Sequence, residues 1–244
     1  MTSYKYVTST RKTKTTQGLV TVILIYHSFI TRMKSLGSIA LIDIRKNKKI
    51  IDHHIECIKE AFENVEIIIS SGYEAQKIQS YVSTKYKHMN IRCVENTNYE
   101  DTGLCESLRI AVNNTSNDNI LVINGGVSFD KNSLKQMPLK QCETMVSRSS
   151  GTNLDIGVNV DGKNMSIEYI CYGAIDCKWC EIFYIHNGSP ANEFRKLVTS
   201  KDYQNKVLYE IVNTLVAHKK IAIKPVEDNK AVKKINLTKG QDNK

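Results

Sequence analysis

The sequence contains no apolar run long enough to cross a lipid bilayer, which takes roughly 20 residues. Its longest apolar run, residues 18–30, is interrupted by His27 and Ser28. The small-residue cleavage pattern of a secretory signal is missing as well. So are internal repeats and low-complexity linkers. We therefore expect a cytoplasmic globular protein and not a membrane-spanning, secreted or repeat protein.

Acidic residues are absent before Asp43, whereas lysine and arginine occur there among many serines and threonines. This composition is typical of a solvated basic arm, and an organelle transit peptide shares it. We predict a flexible basic arm over residues 1–17, a single domain over 18–238 and a frayed tail over 239–244.

Negative charge is also scarce overall, with 25 Asp and Glu against 34 Lys and Arg, so that the formal net charge is +9. Such an excess favours anionic partners: a nucleotide, a nucleic acid or an acidic protein surface. The basic residues near the C-terminus are dispersed; they are Lys219, Lys220, Lys224, Lys230, Lys233, Lys234, Lys239 and Lys244. Binding of nucleic acid or of a protein assembly through the arm and these lysines is one alternative function. The aromatic-interleaved basic motif of a known nucleic-acid-binding module is absent.

The seven cysteines are an odd number, and without a secretory signal they are expected to be reduced thiols. Cys177 and Cys180 form a C-x-x-C motif, with Cys171 and His186 nearby. A second such motif is absent, and this one lies in an alternating stretch instead of at the start of a helix. The motif is therefore only a weak indication of a zinc or redox site.

In the first half of the chain, patterns of buried strands alternate with patterns of amphipathic helices. The predicted strands cover residues 19–25, 65–69, 91–95 and 120–123, with an extended piece at 40–44, and the predicted helices cover 50–62, 74–86 and 104–112. This alternation is typical of right-handed βαβ units on a parallel sheet. His53 and His54 are adjacent on a predicted helix and point to different faces, so we interpret them as ordinary helix residues.

The second half changes to the pattern of an antiparallel sheet. Strands are predicted at residues 144–148, 155–160, 165–171 and 178–185, with Asp161 and Gly162 at a hairpin turn. Ser189 is the predicted N-cap of a helix with Pro190 at its first position. A longer helix over 204–218 and strands over 221–225 and 232–237 complete the prediction.

Four segments, in order along the chain, carry a resemblance to a known family: residues 25–33 (IYHSFITRM), 67–73 (IIISSGY), 98–108 (NYEDTGLCESL) and 121–130 (LVINGGVSFD). Over residues 20–238 the pattern resembles the nucleotidyltransferases that make nucleotide-sugars, and their relatives the phosphocholine cytidylyltransferases. The resemblance implies an α/β fold, the Rossmann-like, three-layer α/β/α (GT-A-like) nucleotidyltransferase fold. Its sheet is mostly parallel but mixed, with an antiparallel strand extension in the second half.

The resemblance also implies which residues approach a nucleotide, namely Ser28, Thr31, Arg32, Lys34, Gly72, Tyr73, Thr102, Gly103, Gly125 and Gly126. Arg32 is the catalytic candidate, because in this family an arginine neutralises the charge that develops on the phosphates. The competing interpretation of Gly72 is a strand-end turn, and that of Tyr73 is an aromatic residue at the rim.

The first loop departs from the family pattern, which is L-A-A-G-x-G-[ST]-R-[ML] followed by P-K-A-L. The two glycines let backbone N–H groups approach the phosphates. This chain keeps the threonine, arginine and methionine as Thr31, Arg32 and Met33, but it has Ser28 and Ile30 for the glycines, Ser38 for the proline and Ile39 for the lysine.

The two metal-binding carboxylates of the family correspond to Gly126 and Asn236. With glycines, lysine and carboxylates replaced, we predict a protein that has lost Mg²⁺-dependent nucleotidyl transfer and serves as a binding or structural module, with no metal ligands and no cofactor. The alternative is a divergent active enzyme that moves a nucleotidyl group to a phosphorylated acceptor with Mg²⁺. Its candidate metal ligands are Asp101, Glu106, Asp130 and Asp155, for each of which the competing interpretation is a cap or a solvated loop residue.

Overall fold

The computed structural model describes residues 18–27, 37–45, 47–148, 155–173, 176–228 and 232–235. The strands are β1 Val20–Tyr26, β2 Asp43–Arg45, β3 Lys48–Lys49, β4 Val65–Ser71, β5 Ile91–Glu95, β6 Ile120–Asn124, β7 Val127–Ser128, β8 Glu143–Ser147, β9 Ile156–Asp161, β10 Ser166–Tyr172, β11 Cys177–Ile185, β12 Lys224–Glu227 and β13 Lys233–Lys234. The α-helices are α1 Ile50–Ala61, α2 Ala75–Lys85, α3 Leu104–Val112, α4 Lys131–Lys135, α5 Ser189–Thr199 and α6 Leu208–Ala217. Short 3-10 helices cover Ile39–Leu41 and Lys201–Tyr203.

The main sheet has the strand order β10-β9-β11-β6-β1-β4-β5, and β8 and β12 extend it from β11. Strands β6, β1, β4 and β5 run parallel, because crossovers containing α1, α2 and α3 connect them in the chain order β1, β4, β5 and β6. Strand β11 is antiparallel to both β6 and β8, whereas β12 is parallel to β8. The predicted fold class is confirmed: a mostly parallel sheet with an antiparallel extension in the second half.

Helices cover both faces of the sheet, because the central strands are apolar on both sides. Along β1, Val22 and Leu24 belong to the core under α1 and α2, whereas Ile23 and Ile25 belong to the core under α3, α5 and α6. All four of these side chains are buried. Burial of each contributes about 1.5–3 kcal/mol, so β1 holds the three layers together.

Two predicted elements differ from the structure near the site. The extended piece at 40–44 is a 3-10 turn over Ile39–Leu41 followed by β2, because the N–H of Leu41 donates to the carbonyl of Ser38. The helix predicted over 204–218 begins only at Leu208. The backbone of residues 204–207 is diverted because its carbonyl groups accept hydrogen bonds from α3, as described below.

Smaller differences occur at the ends of other elements. Gly188, not Ser189, is the N-cap of α5, and Pro190 follows Ser189 within the first turn. The last two predicted strands shorten or shift to β12 and β13. Strand β5 and helix α3 begin and end at the predicted residues.

The C-x-x-C motif lies on β11 with both thiols buried and free. Burial raises the pKa of Cys177 to about 12 and that of Cys180 further. In the described parts of the chain, no group of three His, Cys, Asp or Glu side chains is arranged to hold a metal ion. Protonated, buried thiols favour a packing role over a zinc or redox role.

Among the helices of the described residues, none is both long and apolar enough to cross a membrane.

Candidate functional site

The candidate site lies where the parallel strands β1, β4 and β6 end. Tyr26 of β1 is in register with Ser71 of β4, and Ile25 of β1 with Asn124 of β6. Gly72 and Tyr73 follow β4 directly and Gly125 and Gly126 follow β6 directly, so the structure brings these predicted nucleotide-binding residues to one edge of the sheet. Ligands bind at such edges in open α/β sheets.

The loop after β1 starts from the same edge, at His27. Four predicted site residues, Ser28, Thr31, Arg32 and Lys34, lie outside the described residues, as does Ile30. The next described residue is Gly37.

Glu74 holds the chain where that first loop rejoins the fold. Its Oε2 accepts a 2.7 Å hydrogen bond from the N–H of Ser38, and Lys77 pairs with Oε1. Lys77 and the Ser38 N–H together lower the pKa of Glu74. Ile39, which stands at the position of the family's lysine, is only 7% exposed and packs in the core. The side chain at this position therefore cannot neutralise phosphate charge.

Gly72 is needed where β4 passes close to the end of β1. Its N–H donates to the carbonyl of Tyr26, and the next N–H, of Tyr73, donates to the carbonyl of His27. A Cβ on Gly72 would lie 2.3 Å from the carbonyl oxygen of His27 and 2.3 Å from Cβ of Tyr99. The half-buried Tyr73 ring meets Tyr99 edge to face at 6.3 Å. These two tyrosines form an aromatic rim beside the strand ends.

Thr102 and Gly103 lie at the N-terminus of α3, where free N–H groups would suit a phosphate. Here two of these N–H groups donate hydrogen bonds to backbone carbonyl groups of the same chain. The Gly103 N–H donates to the carbonyl of Gln204 at 2.8 Å, and the Cys105 N–H donates to the carbonyl of Lys206 at 3.3 Å. Thr102 Oγ1 donates to the carbonyl of Asn98.

A buried polar network, which the sequence did not reveal, joins the ends of β1 and β5 to α3. Nδ1 of His27 and Oγ of Ser107 share a 2.8 Å hydrogen bond. The side-chain amide of the buried Asn96 donates both to Ser107 and to Thr102. Burial lowers the pKa of His27, and a hydrogen bond to the Thr102 backbone partly offsets this. The network fixes His27, the first residue of the loop after β1.

Gly125 is covered by the side chain of Tyr26. A Cβ at Gly125 would lie 2.3 Å from Cδ1 of that ring. The Tyr26 hydroxyl and Nδ1 of His54 share a 2.6 Å hydrogen bond, and His54 stacks on Phe129 at 4.8 Å. His54 is thus a core residue, and His53 bonds instead to the Phe129 carbonyl. The interpretation of both histidines as helix residues agrees with these contacts.

Gly126 meets the C-terminal strand. Its carbonyl accepts a 2.9 Å hydrogen bond from the N–H of Ile235, and its own N–H donates to Oδ1 of Asn124. Strand β13 pairs with β7 just beyond this point, with Lys234 opposite Val127. Two segments that are far apart in the sequence are joined here.

Glu181 reaches the same place from β11. Strand β11 has a register shift between Trp179 and Phe183, and Glu181 within it has φ +57. The Glu181 carboxylate accepts from the side-chain amide of Asn124 at 2.5 Å and pairs with Nζ of Lys234 at 3.1 Å. We call Asn124, Gly126, Glu181 and Lys234 the Glu181 corner. A glutamate within the apolar run of β11 was the only sequence signal for it.

Solved structures similar to this chain share its architecture over most of its length. The inositol-1-phosphate CTP transferase from T. maritima matches with a TM-score of 0.72 at 14% identity, over 89% of each chain. CTP:phosphocholine cytidylyltransferase from Streptococcus pneumoniae matches with a TM-score of 0.70 at 17% identity, over 89% of this chain and 93% of that one. The chain has the nucleotidyltransferase fold. A nucleoside-diphosphate-sugar pyrophosphorylase from Vibrio cholerae gives 0.64 at 12% identity, over 87% and 94%.

Comparison of sequences gives a match over a smaller part of the chain than comparison of structures does. Residues 40–154 match the model of a family described as a domain of unknown function, DUF6564. No curated protein matches the chain. The matched segment includes Asn124 and Gly126 but neither Glu181 nor Lys234, so half of the Glu181 corner lies outside it.

The residues at the Glu181 corner do not suit the Mg²⁺ ion that the nucleotidyltransferase resemblance implies. Mg²⁺ requires about six oxygen ligands in octahedral geometry. The Glu181 carboxylate is engaged by Asn124 and by the ammonium of Lys234, and Gly126 has no side chain. Asn236, the other position expected to carry a carboxylate, lies outside the described residues.

Of the four acids proposed as substitute ligands, Asp130, Glu106 and Asp155 are engaged at other places. Asp130 caps α4 by accepting from the N–H groups of Asn132 and Ser133. The other three are a buried Glu106 paired with Arg109, Asp155 paired with Lys178, and an exposed Asp101 in a turn. Their contacts are those of caps, ion pairs and loop residues, so the structure gives no support to their role as metal ligands.

Proposed function

We propose that this protein binds a nucleotide at the ends of β1, β4 and β6 and does not carry out Mg²⁺-dependent nucleotidyl transfer. One observation carries the proposal. The N–H of Ile235 donates to the carbonyl of Gly126, so one position where the family has a metal-binding carboxylate is bonded to the residue that precedes the other in the sequence. The carboxylate that the described residues supply there, from Glu181, is already neutralised by Lys234.

The chemistry of nucleotidyl transfer explains why the neutralised carboxylate of Glu181 matters for activity. In nucleotidyl transfer, a phosphate oxygen of the acceptor attacks the α-phosphorus of the nucleotide and pyrophosphate leaves. A divalent ion neutralises the negative charge that this step concentrates on the phosphates. A second positive charge is missing from the same edge, because Ile39 stands where the family has a lysine. Loss of both contributions would raise the barrier by several kcal/mol, which is enough to suppress turnover.

Binding requires less than catalysis, and the features that support it remain at this edge. The strand ends converge there, and Tyr73 and Tyr99 provide aromatic surface beside them. Two of the similar structures are CTP-dependent transferases by name. CTP is therefore the first nucleotide to test.

The test combines turnover with binding. The protein is incubated with Mg²⁺, each of the four ribonucleoside triphosphates, and phosphocholine, inositol 1-phosphate or glucose 1-phosphate as acceptor. We expect calorimetry to detect binding of at least one triphosphate, and no release of pyrophosphate above the background of a heat-unfolded sample. Mg²⁺-dependent release would overturn the proposal, and Arg32→Ala would then be expected to abolish that release.

A further inference from the structure

We propose that the ammonium group of Lys234 takes the place of the divalent cation at the Glu181 corner, so that the corner binds the phosphates of a ligand without metal. Glu181 is the positioning residue for Lys234. The identity of the ligand as a nucleotide rests on the function proposed above; the metal-free mode of binding is the new inference.

The position of Lys234 supports this role. It lies on β13, one residue before Ile235, whose N–H bonds to Gly126. Its Nζ is 3.1 Å from Oε1 of Glu181, and its side chain is 49% exposed, whereas that of Glu181 is 9% exposed. An ammonium group has three N–H donors. Glu181 lies on its buried side, and within the described ranges no second acceptor bonds to this ammonium, so its remaining donors can bind an anion on the open side.

The backbone of Glu181 supports a specific role for its carboxylate. A φ of +57 is disfavoured for residues with a side chain, and glycine is the residue that adopts it readily. The irregularity of β11 at this point redirects the side chain towards Asn124 and Lys234. Such strain persists where surrounding contacts enforce it, and it concentrates at functional sites.

The ion pair and a divalent cation exclude each other at this corner. Glu181 has one oxygen on the Lys234 ammonium and the other on the Asn124 amide, both of which are donors. Oδ1 of Asn124 accepts from the Gly126 N–H. A dication would have to displace these donors and would be repelled by the ammonium at close range.

The competing explanation is a purely structural ion pair, and a double-mutant cycle separates the two. In Lys234→Met the carboxylate of Glu181 is left without its counter-ion, so stability is expected to fall under either explanation. In Glu181→Gln/Lys234→Met the unpaired charge is gone and the unfolding midpoint should recover. If Lys234 binds phosphate, ligand affinity stays low in this double variant even though stability has returned.

The experiment measures calorimetric affinities for CTP, the other three nucleoside triphosphates and inorganic tripolyphosphate, in excess EDTA and in excess Mg²⁺. We expect similar affinity in both buffers, and a loss of about tenfold in Lys234→Met, as for one charge-assisted contact. Lys233→Met is the matched control: it removes the same charge from the neighbouring residue of β13, whose side chain points to the opposite face. Its affinity should equal that of the unaltered protein.

Three results would overturn the inference: binding that requires Mg²⁺, full affinity in the double variant, or no binding of any of these probes. Glu181→Gly suits the backbone at φ +57 and serves as a second folded variant, which keeps the ammonium of Lys234 but loses the residue that positions it; its affinity in EDTA should fall, but by less than that of Lys234→Met. Mg²⁺-dependent binding without pyrophosphate release would remove this inference and leave the proposed function intact. Release of pyrophosphate, together with equal affinity in EDTA and in Mg²⁺, would remove the proposed function and leave this inference intact.

Discussion

The hydroxyl of Tyr26 and Nδ1 of His54 lie 2.6 Å apart inside the protein, and both side chains are fully buried. This hydrogen bond joins the end of β1 to α1 directly beneath Gly125. Burial, and secondarily the nearby His53, lower the pKa of His54 to about 3. The imidazole therefore stays neutral in the folded protein at pH values where an unfolded histidine is protonated.

His54 should make the protein less stable in mild acid. Its pKa is lower in the folded than in the unfolded state, so its contribution is fully present above about pH 6.5 and is lost progressively below that value. Between pH 7 and pH 5 the loss is about 2 kcal/mol. Urea unfolding of the unaltered protein and of His54→Gln at both pH values checks this. The difference in free energy of unfolding between the two proteins should shift by that amount, and an unchanged difference would contradict the assignment.

The contribution of Glu143 to stability should change with pH in the opposite direction to that of His54. Burial raises its pKa to about 7, although the N–H groups of Leu139 and Lys140 partly counteract this. Because the folded-state pKa lies above the unfolded value near 4.3, its contribution is fully present below that value and is lost as the pH rises through about 7. Relative to Glu143→Gln, the unaltered protein should lose about 2 kcal/mol between pH 5 and pH 7. A scan of the unaltered protein alone would conceal both effects, because those of His54 and Glu143 nearly cancel.

Gly125→Ala should destabilise the fold by about 1–3 kcal/mol through overpacking, because its Cβ would lie 2.3 Å from the Tyr26 ring. Gly18→Ala is the matched control, since a Cβ at Gly18 would have no heavy atom of a described residue within 4 Å. Chemical unfolding measures both variants. Equal stability of the two would show that the Tyr26 ring moves aside freely.

A metal site should be recoverable at the Glu181 corner. Of the residues that the structure describes, a Cβ on Gly126 would meet Asn124 alone, at 3.3 Å from its Oδ1, so an aspartate fits with a small adjustment. Gly126→Asp combined with Lys234→Met adds one carboxylate and frees Glu181. We expect this double variant to bind Mn²⁺ in an electron paramagnetic resonance titration, and the unaltered protein to bind none at the same concentration. Equal Mn²⁺ binding by the two would contradict the exclusion of metal by Lys234.

Much of the fold could be predicted from the sequence because its signals are local. The apolar runs of β1, β4 and β6 and the periodicity of α3 are contained within single elements. The segment at 204–207 could not be predicted, because its backbone bonds to Gly103 and Cys105, about a hundred positions earlier. Helical periodicity continued through it, and the tertiary hydrogen bonds prevailed.

The candidate site was predictable in its position and less so in its chemistry. The strand-end loops around Gly72 and Gly126 follow from the strand pattern. The Glu181 corner combines residues from β6, β11 and β13: Asn124 and Glu181 meet because β11 pairs with β6, and Lys234 joins them because β13 folds back onto β7. No spacing rule within the sequence connects Asn124, Glu181 and Lys234.

The central position of β1 has a consequence for where the chain can be divided. Strand β1 lies between β4 and β6 and hydrogen-bonds to both. The segment 40–154 that matches the family model contains β4 and β6 but not β1. On its own it would leave two facing strand edges separated by the width of a missing strand. We therefore expect a fragment limited to this segment to pair those exposed edges with other copies of itself.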